Sequence, residues 1–83
     1  MIKVLYFARL REQMGRAGDA LEWDQSLRTL EDLRQRLSQR YPAKDDILRA
    51  RDLLVACNQE MTAWDAPVAD GDEVALFPPV TGG

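Results

Sequence analysis

Two features of this 83-residue chain could do chemistry: the terminal pair Gly82-Gly83 and the single thiol, Cys57. A chain end of Val80-Thr81-Gly82-Gly83 spans about 13–14 Å when extended. Its last two residues lack a Cβ, so it could enter a channel too narrow for other side chains. Two terminal glycines also occur by chance in roughly one chain in 200, and frayed ends finish the same way. Cys57 ends an apolar run with no neighbouring Lys, and the chain has no histidine. The thiol is therefore read as a small packing residue rather than a nucleophile. The missing histidine removes Ser-His and Cys-His nucleophile pairs and the usual imidazole metal ligands. One cysteine allows neither an intramolecular disulfide nor a cysteine zinc cluster. Gly15, Gly18 and Gly71 stand singly, so no phosphate-cradling loop is present, and any nucleotide must be bound by another protein.

What distinguishes the terminal glycines is the stretch before them. Asp70-Gly71-Asp72 reads as a hairpin corner, and Val74, Leu76 and Phe77 supply β propensity for a buried strand. Pro78 and Pro79 lack N–H donors and fix φ, so the chain leaves the sheet in an extended direction. A strand and a proline stem hold a chain end out at a set angle, which a frayed terminus does not need. The expected organisation is one folded domain over 1–79 and a flexible Gly-Gly tail over 80–83.

The remaining elements follow from pattern. Ile2 to Ala8 is β-branched and aromatic and reads as a central strand. Arg9 to Met14 suits a helical turn, with Leu10 and Met14 at i, i+4 and Gly15 as its stop. Ala20 to Trp23 alternates as a short second strand. The clearest periodicity lies in Ser26 to Tyr41, where Leu27, Leu30, Leu33, Leu37 and Tyr41 share one helical face. Thr29 with Asp32 resembles a capping box, with Ser26 as a competing N-cap, and Pro42 ends the helix. Arginines 28, 34, 36 and 40 are interleaved with acids and read as a solvated face rather than a binding one. Lys44 to Arg51 reads as a polar connection or short helix anchored by Ile47 and Leu48. Leu53 to Cys57 reads as a strand, Asn58-Gln59 as a turn, and Met61 to Trp64 as a further strand. A sheet crossed by one long helix lets both bury their apolar faces, which places the chain in the α+β class.

The bulk properties narrow the setting. With 11 basic and 14 acidic residues the net charge is −3, which argues against nucleic acid as a partner. No apolar run reaches membrane-spanning length, and the N-terminal stretch lacks a signal-peptide cleavage pattern. A cytoplasmic protein is expected.

Phe7-Ala8-Arg9-Leu10-Arg11-Glu12 and the stretch from Asp70 to Gly83 together resemble the small, sulfur-carrying subunit of molybdopterin synthase. Asn58 and the Leu30 to Leu37 helix fit the same pattern. The resemblance implies a ubiquitin-like β-grasp fold, a mixed sheet with one main helix across one face and the first and last strands parallel and adjacent. It implies no cofactor bound by this chain. A terminal carboxylate, with a pKa near 3.3–3.7, is ionised and a poor electrophile at neutral pH, so it must be activated. In the family an activating enzyme akin to that of ubiquitin adenylates the terminal glycine with ATP. A persulfide sulfur then displaces AMP to leave a thiocarboxylate. The tail enters the large synthase subunit, in a heterotetramer of two small and two large subunits, and delivers sulfur to cyclic pyranopterin monophosphate to make molybdopterin.

By this likeness Gly83 carries the sulfur and Gly82 removes bulk at the narrowest point. Val80 and Thr81 supply extended-backbone contacts in the partner channel. Phe77, Phe7 and Leu10 form an apolar docking patch, with core packing the competing reading for the two phenylalanines. Arg11 and Glu12 provide polar contacts there or are solvated helix ends. A sulfur carrier or ubiquitin-like modifier of another pathway, such as thiamine or thiouridine synthesis, would use the same tail with a different acceptor.

Overall fold

Alternation of buried and exposed residues organises the sheet. In β1 (Ile2–Tyr6), Ile2, Val4 and Tyr6 face the core while Lys3 and Leu5 face away. In β5 (Glu73–Phe77), Val74 and Leu76 do the same. The computed structural model describes residues 1–79, and the expected tail, 80–83, lies outside the described residues. The other elements are α1 (Ala8–Met14), β2 (Gly18–Leu21), α2 (Leu30–Arg40), a 3-10 turn (Pro42–Lys44), α3 (Asp45–Leu48), β3 (Leu54–Cys57) and β4 (Glu60–Thr62). The five strands lie in the order β2-β1-β5-β3-β4. β1 and β5 are parallel neighbours, with Val4 opposite Val74 and Tyr6 opposite Leu76, and the other pairings are antiparallel.

α2 lies against one face of this sheet, and its Leu30, Leu33 and Leu37 are fully buried with Ile2, Val4, Val55, Val74 and Leu76 in one core. The helix starts at Thr29, not Ser26. Thr29 Oγ1 accepts from Asp32 N at 3.2 Å, and the Asp32 carboxylate accepts from Thr29 N at 3.0 Å, a reciprocal capping box. Ser26 is instead held by Asp24, which accepts its backbone N–H at 2.8 Å. Leu27 is buried from the loop before the cap, and Tyr41 sits at the C-cap.

Several boundaries differ from the pattern reading. β1 ends at Tyr6, because Ala8 takes φ 53° and turns the chain into α1. Gly15, at φ 72°, closes α1 as expected, its N–H shared between the carbonyls of Arg11 and Glu12. β2 occupies Gly18–Leu21 rather than 20–23. Register with β1 puts Asp19 on the inward side, where alternation predicts an apolar residue. The carboxylate is satisfied there by the hydroxyls of Tyr6 and Tyr41, each donating at 2.7 Å, and by Arg16 at 2.9 Å. Trp23 stays outside the strand and donates its indole N–H to Leu27 O at 3.1 Å. β4 stops at Thr62, and Trp64 packs beneath the Arg34 guanidinium, 4.1 Å from the ring centre, while donating to Leu53 O. Asp70-Gly71 is a turn with Gly71 at φ 93°, but not a hairpin corner, because β5 inserts between β1 and β3.

Candidate functional site

α2 covers one face of the sheet; the face turned away from it is where the site residues gather. Residues of opposite parity point there: Lys3 and Leu5 of β1, Glu73, Ala75 and Phe77 of β5, Leu54 and Ala56 of β3, and Met61 of β4. Apart from Lys3 and Glu73, which approach to 4.0 Å at one end, this face is apolar. Phe7 extends it. Its N–H donates to Leu76 O at 3.1 Å, so the parallel ladder runs one residue beyond β1 and leaves the Phe7 ring beside Leu5. The Phe7 and Phe77 rings meet at 5.6 Å between centroids, tilted by 42°. They flank an open groove floored by Leu5, Ala56 and Ala75 and closed on the β4 side by Met61 and Gln59. Phe7 is 44% exposed, Leu54 36% and Met61 60%. A contiguous exposed apolar surface of this kind is characteristic of a docking site.

The groove leads into the chain end. Phe77 closes β5, and Pro78 and Pro79 run on along a second hollow between Arg9, Leu10 and Gln13 of α1 and the segment Ile47, Ala50, Asp52, Leu53. Phe7 and Phe77 therefore lie together at the root of the stem, on the surface and not in the core. Leu10 does not join them. It is 1% exposed, packed in the core from the inner side of α1, because the i, i+4 pair with Met14 faces the sheet. Arg11 is exposed on the same helix. Val80, Thr81, Gly82 and Gly83 lie outside the described residues.

The turn between β3 and β4 ties the groove to β5. Asn58 accepts from Glu73 N at 3.0 Å and donates to Asp72 at 3.1 Å, while its own N–H reaches Glu73 O at 2.7 Å. Asp72 also accepts from Ala69 N at 2.8 Å, and these bonds, Asn58 first, hold its carboxyl below the usual carboxylate range. Cys57 Sγ lies 3.6 Å from Asp72. Burial, then the Asp72 charge, pushes the thiol's pKa up, which suits packing rather than nucleophilic chemistry. Among the described residues no three His, Cys, Asp or Glu side chains come together as metal ligands.

Leu5, Leu54, Ala56, Gln59, Met61 and Ala75 escaped the sequence reading as site residues. A signal for some existed: Leu53-Leu54-Val55-Ala56-Cys57 is apolar at both parities, yet only one helix layer was in view to cover the sheet.

A mixed sheet with parallel neighbouring terminal strands, crossed by one helix and bearing a free apolar face, defines a ubiquitin-like β-grasp protein. The chain belongs to the ThiS family, whose model matches residues 4–83. It is 47% identical over its full length to the molybdopterin synthase sulfur carrier subunit of Escherichia coli, all of which is covered. Against the subunit of the same name from Haemophilus influenzae it is 41% identical, again over the whole of both chains. The crystal structure of SAMP1 from Haloferax volcanii superposes with a TM-score of 0.79 at 32% identity, covering 99% of this chain and 98% of that one.

Proposed function

We propose that this chain is the sulfur carrier subunit of a molybdopterin synthase. The carboxylate of Gly83 is adenylated by an activating enzyme that binds the ATP. It is then converted to a thiocarboxylate and delivered into the large subunit, where sulfur passes to cyclic pyranopterin monophosphate. The chain binds no cofactor and catalyses nothing alone; it is the sulfur-donating half of a sulfurtransferase. The observation that carries this reading is the continuity between the apolar outer face and the proline stem, supported by identity along the whole length of two subunits of that name. A partner seated on Phe7, Phe77 and Met61 is positioned to receive whatever follows Pro79. Arg11, exposed on α1, is available as a polar contact. Gly82 leaves room at the narrowest part of the partner's channel, and Val80 and Thr81 offer main-chain hydrogen bonds along it.

Intact-mass measurement after incubation with an activating enzyme, ATP and a sulfur donor tests the carrier role. One terminal oxygen is replaced by sulfur, and adding large subunit and substrate then yields molybdopterin. An unchanged mass refutes the proposal. Removing Gly83 abolishes the transfer and leaves the melting temperature unchanged, because the core ends with β5. The likeness to SAMP1, a small archaeal modifier protein, favours a second reading in which the activated Gly83 acylates a lysine of another protein. Amide-linked adducts in place of the thiocarboxylate would establish it.

A further inference from the structure

Among the described residues three that are not glycine hold left-handed backbone: Ala8 at φ 53°, Asn58 at φ 52° and Gln59 at φ 71°. Asn58 is suited to it, since asparagine tolerates this region and its side chain donates to Asp72 and accepts from Glu73 N at the start of β5. Gln59 has no such justification. It is the second residue of a two-residue loop joining β3 to β4, with Cys57 opposite Glu60, and positive φ at both central positions marks a type I′ turn, where glycine is preferred. A long side chain there keeps a strained backbone that glycine would relax. None of the hydrogen bonds among the described residues uses its carboxamide. The residue is exposed and lines the outer groove. The groove thus has two unlike ends: Phe7 and Phe77 beside the proline stem, and Gln59 with Glu73 at the far end.

We infer that Gln59 is a specificity-determining contact of the docking groove. Its carboxamide pairs with a main-chain peptide group of the sulfur-accepting large subunit, one of whose apolar side chains packs against the touching Phe7 and Phe77 rings. A carboxamide offers one acceptor and two donors, the complement of a main-chain N–H and C=O. The groove continues into the stem that carries the tail, and the full-length relatives are named as subunits of molybdopterin synthase, so the large subunit, rather than the activating enzyme that also meets the tail, is the occupant. This assignment rests on the docking reading above, and the test separates the two.

Binding of the large subunit is measured by calorimetry for the native chain, Gln59→Gly, Gln59→Ala and Phe7→Ala, with thermal melting of each. Gln59→Gly melts higher than the native chain and binds about fivefold more weakly, the loss of one hydrogen bond. Gln59→Ala, which keeps the strain without the amide, shows the same loss of affinity. Three results overturn the assignment: Gln59→Gly binding as tightly as the native chain while Phe7→Ala binds more weakly; Gln59→Ala binding as the native chain does; or Gln59→Gly melting lower. If Phe7→Ala also binds with native affinity, the docking face itself is refuted.

Discussion

Leu10 separates the two roles a side chain next to Phe7 could have, and its truncation to alanine measures which one holds. The side chain is 1% exposed and packed in the core from α1. A fully buried Leu→Ala change costs about 2–5 kcal/mol. α1 is a seven-residue surface helix that can settle inward, so the lower half of that range, about 2–3 kcal/mol, applies here. A chain of 83 residues has about 4–12 kcal/mol of total stability. At about 4–8 °C per kcal/mol for a domain of this size, Leu10→Ala lowers the melting temperature by about 10–20 °C. Chemical denaturation with an unchanged m-value confirms that the loss is stability and not a change of denatured state. Below the transition, affinity for the large subunit stays within about twofold of native, because the side chain is only 1% exposed and lies off the outer face that carries Phe7 and Phe77. A variant that melts with the native chain yet binds the partner about tenfold more weakly would show that Leu10 faces the partner, and the packing argument would fall.

The α2 capping box makes a smaller, separable contribution: Thr29→Ala lowers stability by about 1 kcal/mol in urea titration, and an unshifted midpoint would show that the helix does not start there. Hydrogen bonds from the backbone of Thr29, then Arg28, depress the Asp32 pKa. Its share of stability is therefore whole above the unfolded value near 3.9 and is lost as pH falls through the lower folded value; Asp32→Asn flattens that limb of an acid titration. The folded Cys57 pKa is raised by burial, so its contribution is whole below the unfolded value near 8.5 and is lost as pH rises through the folded one. Alkylation of Cys57 at pH 8 is accordingly slower than that of a free thiol, and an equal or faster rate contradicts the burial. Gly18→Ala places a Cβ 2.3 Å from Val4 O, which forces β2 from β1 and costs about 1–3 kcal/mol; native-like melting would mean the strand yields freely.

Periodicity was sufficient wherever a side chain's burial follows from its own polarity. The leucines of α2, the apolar β5 and the glycine stop of α1 all lie where pattern places them. Pattern failed where hydrogen bonding outweighs polarity. Asp19 occupies an inward strand position because two tyrosines and an arginine satisfy it, and no window of hydropathy registers those distant partners. Trp23 and Trp64 look like strand residues, yet each is held by a bond from its indole nitrogen to a loop carbonyl. At the site, the pairing of Phe7 with Phe77 needed the parallel register of β1 and β5, which only the family likeness implied. Leu10 shows the limit of that likeness: adjacency in sequence to Phe7 does not make a helical residue its neighbour on the surface.

The placement of β5 has a mechanical consequence. It is the middle strand, held by β1 on one side and β3 on the other, and the stem continues directly from it. Force applied through Pro79 runs along the strand axis, across hydrogen bonds that lie transverse to it, so both ladders share the load in shear and none opens one bond at a time. Pulling on the stem therefore loads the domain along its most resistant direction, with every rung of two ladders strained together.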